Sequence, residues 1–200
     1  MSVLLIAGSP SERSRTAALL EAAGARLEAR GVLVERLRVR DLSPQALILA
    51  DFGHRSISAA IGQVADADVV VVATPVYKAA YSGVLKVFLD LLPQDAFKGK
   101  TILPLATGGS PHHMLAVDYA LRPVLQSLGA RHILQGIFAT DSQVTLTPEG
   151  SYHVDVGIGA RLDEAVEALM TETAKLSALQ TSRSAGRFAP VAFDQVRCSV

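Results

Sequence analysis

Val69-Val70-Val71-Val72-Ala73-Thr74-Pro75-Val76-Tyr77-Lys78-Ala79-Ala80-Tyr81-Ser82-Gly83 is the stretch on which the reading of the fold turns. It opens with an unbroken apolar, β-branched run, Val69 to Ala73, which suits a strand buried on both faces; such strands occur at the centre of parallel sheets covered by helices on both sides. Pro75 then fixes φ, and small residues and two tyrosines follow before a helical pattern begins. From Tyr81 to Leu92 the residues Val84, Leu85, Val87, Phe88, Leu89, Leu91 and Leu92 make an apolar surface too wide for one sheet contact, which predicts a meeting with a second subunit.

The same alternation extends outward in both directions. Val3 to Ala7, Val32 to Val39, Thr101 to Ala106 and His132 to Phe138 read as four further strands, and the charged alternation of Val34, Glu35, Leu37, Arg38 and Val39 places the second at an edge. Helices are predicted over Thr16 to Arg30, closing at Gly31, and over Ile57 to Ala65. In the next one Met114, Val117, Leu121, Val124 and Leu128 face the sheet, leaving Leu115 and Tyr119 on another face. Ile158, Leu162, Ala165, Leu169, Thr173 and Leu176 mark the last helix, and Ser142 to Gly157 reads as a long loop. Strand-helix alternation of this kind is an α/β doubly wound fold, expected as one domain over 1–177. A C-terminal tail over 178–200 is expected to be flexible, with Ser182 to Arg187 as linker and Phe188, Val191 and Phe193 as docking residues.

Composition narrows the function. The 200 residues carry 19 basic and 19 acidic side chains, and this balance argues against a nucleic-acid binder. The single Cys198 excludes a disulfide framework and suits a reducing cytoplasm. The longest uncharged stretch, Thr101 to Val117, is broken by Pro104, Gly108, Gly109 and Pro111, so no membrane span is expected.

In a sheet of this class ligands bind beyond the carboxyl ends of the strands, and three loops leave those ends. Gly8 to Thr16 gathers Ser9, Arg13, Ser14, Arg15 and Thr16 ahead of a helix, where backbone N–H groups, hydroxyls and guanidinium groups suit a phosphate dianion; a plain helix cap at Ser14 with solvated arginines is the competing reading. Thr74 to Gly83 offers Pro75, Val76 and Tyr77 to a flat aromatic ligand, or is an ordinary loop over packed tyrosines. Thr107, Gly108, Gly109 and Ser110 permit close backbone approach. His112 and His113 are neighbours that share no helix face and have no third ligand nearby, so no metal site is expected; His113 reads as a wall donor and His112 as a surface residue. GxGxxG after the first strand, GxxxxGK[ST], GxSxG, HExxH and CxxC are all absent, which disfavours dinucleotide-fold, P-loop and hydrolase chemistry. What remains needs no protein nucleophile and suits a flavin, whose ring carries the redox chemistry.

Leu5-Ile6-Ala7-Gly8-Ser9-Pro10, Ser14-Arg15-Thr16, Ala73 to Gly83, Pro104-Leu105-Ala106-Thr107-Gly108-Gly109, Ala116-Val117-Asp118-Tyr119-Ala120-Leu121 and Asp141-Ser142-Gln143-Val144 together closely resemble the NADPH-dependent FMN reductases of alkanesulfonate monooxygenase systems, over roughly residues 3 to 175. The resemblance implies a flavodoxin-like three-layer sandwich with a five-stranded parallel sheet of order 2-1-3-4-5. It also implies reduction of FMN by NADPH to FMNH2, supplied to a partner FMNH2-dependent alkanesulfonate-type monooxygenase for organosulfonate desulfonation and sulfur acquisition. FMN would be a substrate or a weakly held cofactor, and no side chain would be catalytic, since hydride passes directly between stacked rings. Phosphate contacts are implied at Ser9, Ser14, Arg15 and Thr16, and ring contacts at Pro75, Val76 and Tyr77, with Thr107 to Ser110 opposite. Family members often carry arginine directly after Gly-Ser-Pro; this chain has Ser11 there and offers Arg13. A homo-oligomer, dimer or tetramer, is implied through Asp118 and Tyr119, with a π-bulge at the tyrosine. The alternative is an NADPH-dependent quinone, azo or chromate reductase that keeps its FMN tightly bound.

Overall fold

The computed structural model describes residues 1–147 and 149–185. β1 (Ser2–Ala7) leads into α1 (Arg15–Glu28), which Ser14 caps by accepting a hydrogen bond from the Ala17 N–H at 3.3 Å. β2 (Leu33–Arg38) follows, and after a short turn α2 (Pro44–Ile48) and α3 (Arg55–Asp66). β3 (Val69–Tyr77) folds back on β4 (Ala80–Tyr81), and α4 (Gly83–Leu89) precedes β5 (Thr101–Gly108). A π-helical turn at Val117–Leu121 runs into α5 (Arg122–Ser127); β6 (His132–Ile133), β7 (Ile137–Thr140), the hairpin β8 (Val144–Leu146) and β9 (Tyr152–Val154), and α6 (Val156–Ala185) complete the described chain.

The strands line up parallel as β2-β1-β3-β5, and β6 and β7 share the fifth position, both paired with β5. This is the expected 2-1-3-4-5 order of a flavodoxin-like α/β sandwich, with β2 at an edge and β3 central. Alternate side chains of the central strands feed two separate cores. Leu4, Ile6, Val70 and Val72 pack against α3 and α4, whereas Val3, Leu5, Val69, Val71 and Ala73 pack against α1 and α6. Burial on both faces is what a near-continuous apolar strand requires, each such side chain contributing roughly 1.5–3 kcal/mol. At the amino end of the sheet, Lys100 Nζ donates to the carbonyls of Ala65 and Ala67 at the end of α3, and burial holds its amine below the ordinary lysine value.

Several elements differ from the sequence reading. The stretch expected as a loop over Ser142 to Gly157 contains the antiparallel hairpin β8–β9, whose Val144 is buried in the α1/α6 core. Strands of three residues are too short for a period of two to register. α2 was not expected: Ser43 caps it and Pro44 starts it within five residues. The fifth strand is broken at Leu134 to Gly136, and Gly136 in that break lies so close to Val117 of the π turn that a Cβ would collide with its Cγ1.

The π turn itself matches the bulge that the family resemblance implies at Tyr119. Met114, expected on the core stripe, is instead exposed with Leu115 and Tyr119, while Leu125 is buried. The wider turn delays the following residues, so one helical phase does not describe both sides of it. The wide apolar face of α4 is covered in part within the chain, by α2 and the turn after β2, where Val84 and Val87 line an apolar cleft with Leu42 and Leu47. Finally, α6 continues past the expected boundary at Ser177 to Ala185, so 182–185 are helical rather than linker. Phe188, Val191, Phe193 and the remainder of the expected tail lie outside the described residues.

Candidate functional site

Three loops at the carboxyl edge of the sheet are tied to one another by hydrogen bonds from buried hydroxyls. Gly8 N–H donates to Ala73 O at 2.8 Å, Ser82 Oγ donates to Gly8 O, and Ser82 N–H donates to Thr74 Oγ1 at 2.9 Å. Ser82 Oγ in turn caps α4 through Leu85 N–H at 3.1 Å. The loop after β1 can sit this close only because residue 8 is glycine: a Cβ there would lie 2.8 Å from Leu85 Cβ and 3.0 Å from the Ala73 carbonyl oxygen. On the other side, Thr16 Oγ1 and Thr107 Oγ1 are 2.5 Å apart and buried, joining the first turn of α1 to the end of β5.

These ties enclose a crevice of about 210 Å³. Ser9, Arg13, Ser14, Arg15 and Thr16 line one end, Pro75, Val76 and Tyr77 a side, and Thr107, Gly108 and Gly109 the opposite wall. Eleven of the thirteen residues expected to bind cofactor are therefore brought together. Ser110 and His113 are not. Ser110 caps the tight turn Pro111–His113, accepting from His112 N–H at 3.3 Å, and that turn carries His113 to the exposed surface beside His112. Pro111 starts this turn and so directs the chain away from the crevice.

The crevice also contains Ser11 and Asp141, which the sequence reading did not assign to it. Asp141 directly follows β7, the fifth carboxyl end, so counting loops at every strand end rather than at three would have found it. Its carboxylate stands 3.7 Å from Arg15 Nη1, with both side chains about half exposed. A solvated pair at that distance contributes little and leaves the guanidinium free to turn to a stronger acceptor. Arg13 has no ion pair or hydrogen bond among the described residues.

The β3–β4 hairpin places Tyr77, half exposed, on the crevice side. Lys78 and Ala79 form its two-residue turn with φ of 50° and 64°, left-handed values that cost non-glycine residues roughly 1 kcal/mol or more each. Burial raises the Tyr81 phenol above its usual value, with Lys86 opposing and Asp90 adding to the shift. The π turn packs against this hairpin from the outside. It is anchored by Arg122, which bonds Asp118 at 3.1 Å and the carbonyls of Ile133 and Leu134 at 3.2 and 3.0 Å.

The donor set fits a flavin mononucleotide. Hydroxyls, two guanidinium groups and the N-terminus of the 14-residue α1 converge where a phosphate dianion needs them. Gly109 leaves space along the wall of the crevice: a Cβ there would meet only Asp141 Oδ2, at 3.7 Å, and the half-exposed Tyr77 lines the same crevice. Comparison with known proteins agrees with this geometry. The profile of the NADPH-dependent FMN reductase family matches residues 1–145. The chain belongs to that family. It is similar to FMN reductase (NADPH) of Escherichia coli K12, 47% identical over 171 residues, covering 84% of this chain and 87% of the relative. It is 54% identical over 144 residues to FMN reductase (NADPH) of Pseudomonas putida KT2440, covering 72% and 73%. Among solved structures it resembles NADH:FMN oxidoreductase (EmoB), with 43% identity, a TM-score of 0.77 and coverage of 86% and 89%. Enzymes of the FMN reductase family are oxidoreductases that use FMN and NADPH. Among the described residues no helix is long and apolar enough to cross a membrane, and no group of three metal-ligating side chains occurs.

Proposed function

We propose that this chain reduces FMN with NADPH in the crevice between the loops after β1, β3 and β5. In this reading FMNH2 then serves an FMNH2-dependent monooxygenase that desulfonates organosulfonates for sulfur acquisition in the cytoplasm. The observation that carries the reading is the make-up of the crevice, which gathers hydroxyls, two guanidinium groups and a helix N-terminus with an exposed tyrosine and a glycine pair. When bound, FMN supplies the hydride-accepting ring and NADPH the hydride.

The chain's own residues bind and orient. Ser14, the first turn of α1, Arg13 and Arg15 hold the phosphate end. The proton not shared between Thr16 and Thr107 is offered to the same anion, because two hydroxyls carry two protons and only one fits between them. Pro75, Val76 and Tyr77 exclude water from one side of the ring site, and Gly108 and Gly109 let a second ring approach to stacking distance, roughly 3–3.5 Å. Direct hydride transfer requires no protein base, so no side chain is assigned a catalytic role.

The subunits assemble as a homo-oligomer, dimer or tetramer, through the π turn. There Tyr119 is 78% exposed beside exposed Met114 and Leu115, and Asp118 is held by Arg122. The hairpin lining the flavin site packs directly beneath this patch, which couples assembly to flavin handling.

Steady-state NADPH oxidation by flavin-stripped protein, with FMN and NADPH varied together and with or without quinone, tests the activity. Intersecting lines with saturable FMN are expected. Parallel lines, with turnover only in quinone after one FMN rebinds tightly, would instead identify a flavoprotein acceptor reductase.

A further inference from the structure

We infer that Arg40, with Arg38 beside it, forms the subsite for the 2′-phosphate of NADPH, one strand away from the flavin phosphate. The inference rests on the proposed FMN reductase reading and deepens it by naming what distinguishes NADPH from NADH. A second cleft of about 110 Å³ adjoins the flavin crevice and shares Ser9 and Ser11 with it; Glu12, Arg38, Arg40 and Asp41 complete its polar lining. Arg38 lies beside Ala7 in the β1–β2 register, so the cation pair sits about 4.8 Å, one strand spacing, beyond the strand that carries the phosphate loop. The two clefts meet at Ser9 and Ser11, so a ligand in the flavin crevice can extend into the second one there.

The two arginines are bound differently. Arg38 is mostly exposed, and its Nε donates to Asp41 Oδ2 at 2.6 Å. Arg40 is only 31% exposed yet makes no hydrogen bond among the described residues. Its nearest carboxylates are Asp41 at 3.6 Å and Glu12 at 3.9 Å, both beyond hydrogen-bonding distance. A guanidinium at the mouth of a polar cleft whose fork of donors makes no hydrogen bond among the described residues matches a phosphomonoester, which it can bond at two oxygens. Asp41 is already engaged by Arg38, and so competes weakly as an acceptor for a ribose hydroxyl.

The test compares 2′,5′-ADP with 5′-AMP, both as competitors of NADPH-linked FMN reduction and by calorimetry on the full-length protein without turnover. The wild type should favour 2′,5′-ADP by about tenfold or more, the range of a charge-assisted hydrogen bond. Arg40→Met should abolish that preference and lower the NADPH-to-NADH ratio of kcat/KM by about ten- to a hundredfold, with partial recovery in Arg40→Lys. Glu12→Gln, on an exposed side chain, should move the ratio the other way by removing a competing carboxylate, and it decides the matter where Arg40→Met does not fold. No preference in the wild type, an unchanged preference in Arg40→Met, or an unchanged ratio in Glu12→Gln overturns the subsite. Loss of FMN affinity in Arg40→Met with the 2′,5′-ADP preference intact would assign Arg40 to the flavin phosphate instead. Absence of any FMN-dependent NADPH oxidation by the wild type would defeat the parent reading, while the calorimetric comparison would still report on the subsite.

Discussion

β5 begins and ends on the same pairing, a threonine hydroxyl bonded to a threonine of a covering helix, and the two ends serve different purposes. At the amino edge the Thr173 hydroxyl of α6 donates to the Leu169 carbonyl at 2.7 Å and, its one proton used there, accepts from the Thr101 hydroxyl at 3.1 Å. That pair is closed by its own helix. At the carboxyl edge Thr16 and Thr107 have only each other among the described residues, and both line the crevice. A buried polar pair therefore reads as structural where the backbone completes it and as a binding element where it opens onto a cavity.

Arg15→Ala should break the carboxyl end most strongly. Removing a charge-assisted contact to phosphate is expected to weaken FMN binding about ten- to a hundredfold, read by quenching of flavin fluorescence, while the half-exposed pair with Asp141 leaves the melting temperature nearly unmoved. Thr16→Val should lower FMN affinity about tenfold and cost about 1 kcal/mol in stability. Thr173→Val is the control at the other end: denaturant titration should register about 1–2 kcal/mol lost, with FMN affinity at the wild-type value. If Thr173→Val weakened FMN binding as much as Thr16→Val, the distinction between the two ends would collapse. Tyr119→Ala sharpens the contrast from outside both ends. Its stability should change by less than about 0.5 kcal/mol, as for other surface substitutions, while oligomer mass or flavin handover shifts. Unchanged mass, flavin affinity and coupled turnover would remove the π turn from the account.

What was legible in the chain follows from the physics of each element. Val69 to Ala73 has to be buried on both faces, so its central place can be read from its β-branched run, whereas the strand order came from the family resemblance; the loops beyond the strands then located the crevice. The hairpin at Val144 to Val154 and the five-residue α2 are shorter than the periods that would reveal them. The break in the fifth strand coincides with the close approach of Gly136 to Val117, nineteen positions apart in sequence, and no local pattern encodes that contact. Met114 is exposed because it ends the short turn Pro111–His113 and lies before the helix begins, a boundary that the apolar spacing does not mark, although the family resemblance did indicate the bulge after it. Asp141 is legible only when the loop after the fifth strand is counted with the other three, and its pairing with Arg15 is visible only in the structure.

The most direct test of the central claim is an FMN titration of Gly109→Leu. A Cβ at this position makes only an ordinary 3.7 Å contact with Asp141, and φ is not left-handed, so the variant should fold with a melting temperature close to that of the wild type. Gly109 lines the crevice, so a longer side chain there takes up space within it. The account predicts FMN binding weakened by more than about tenfold, over 1.4 kcal/mol, in a protein that remains folded. Unchanged FMN affinity in that folded variant would contradict it and place the flavin elsewhere.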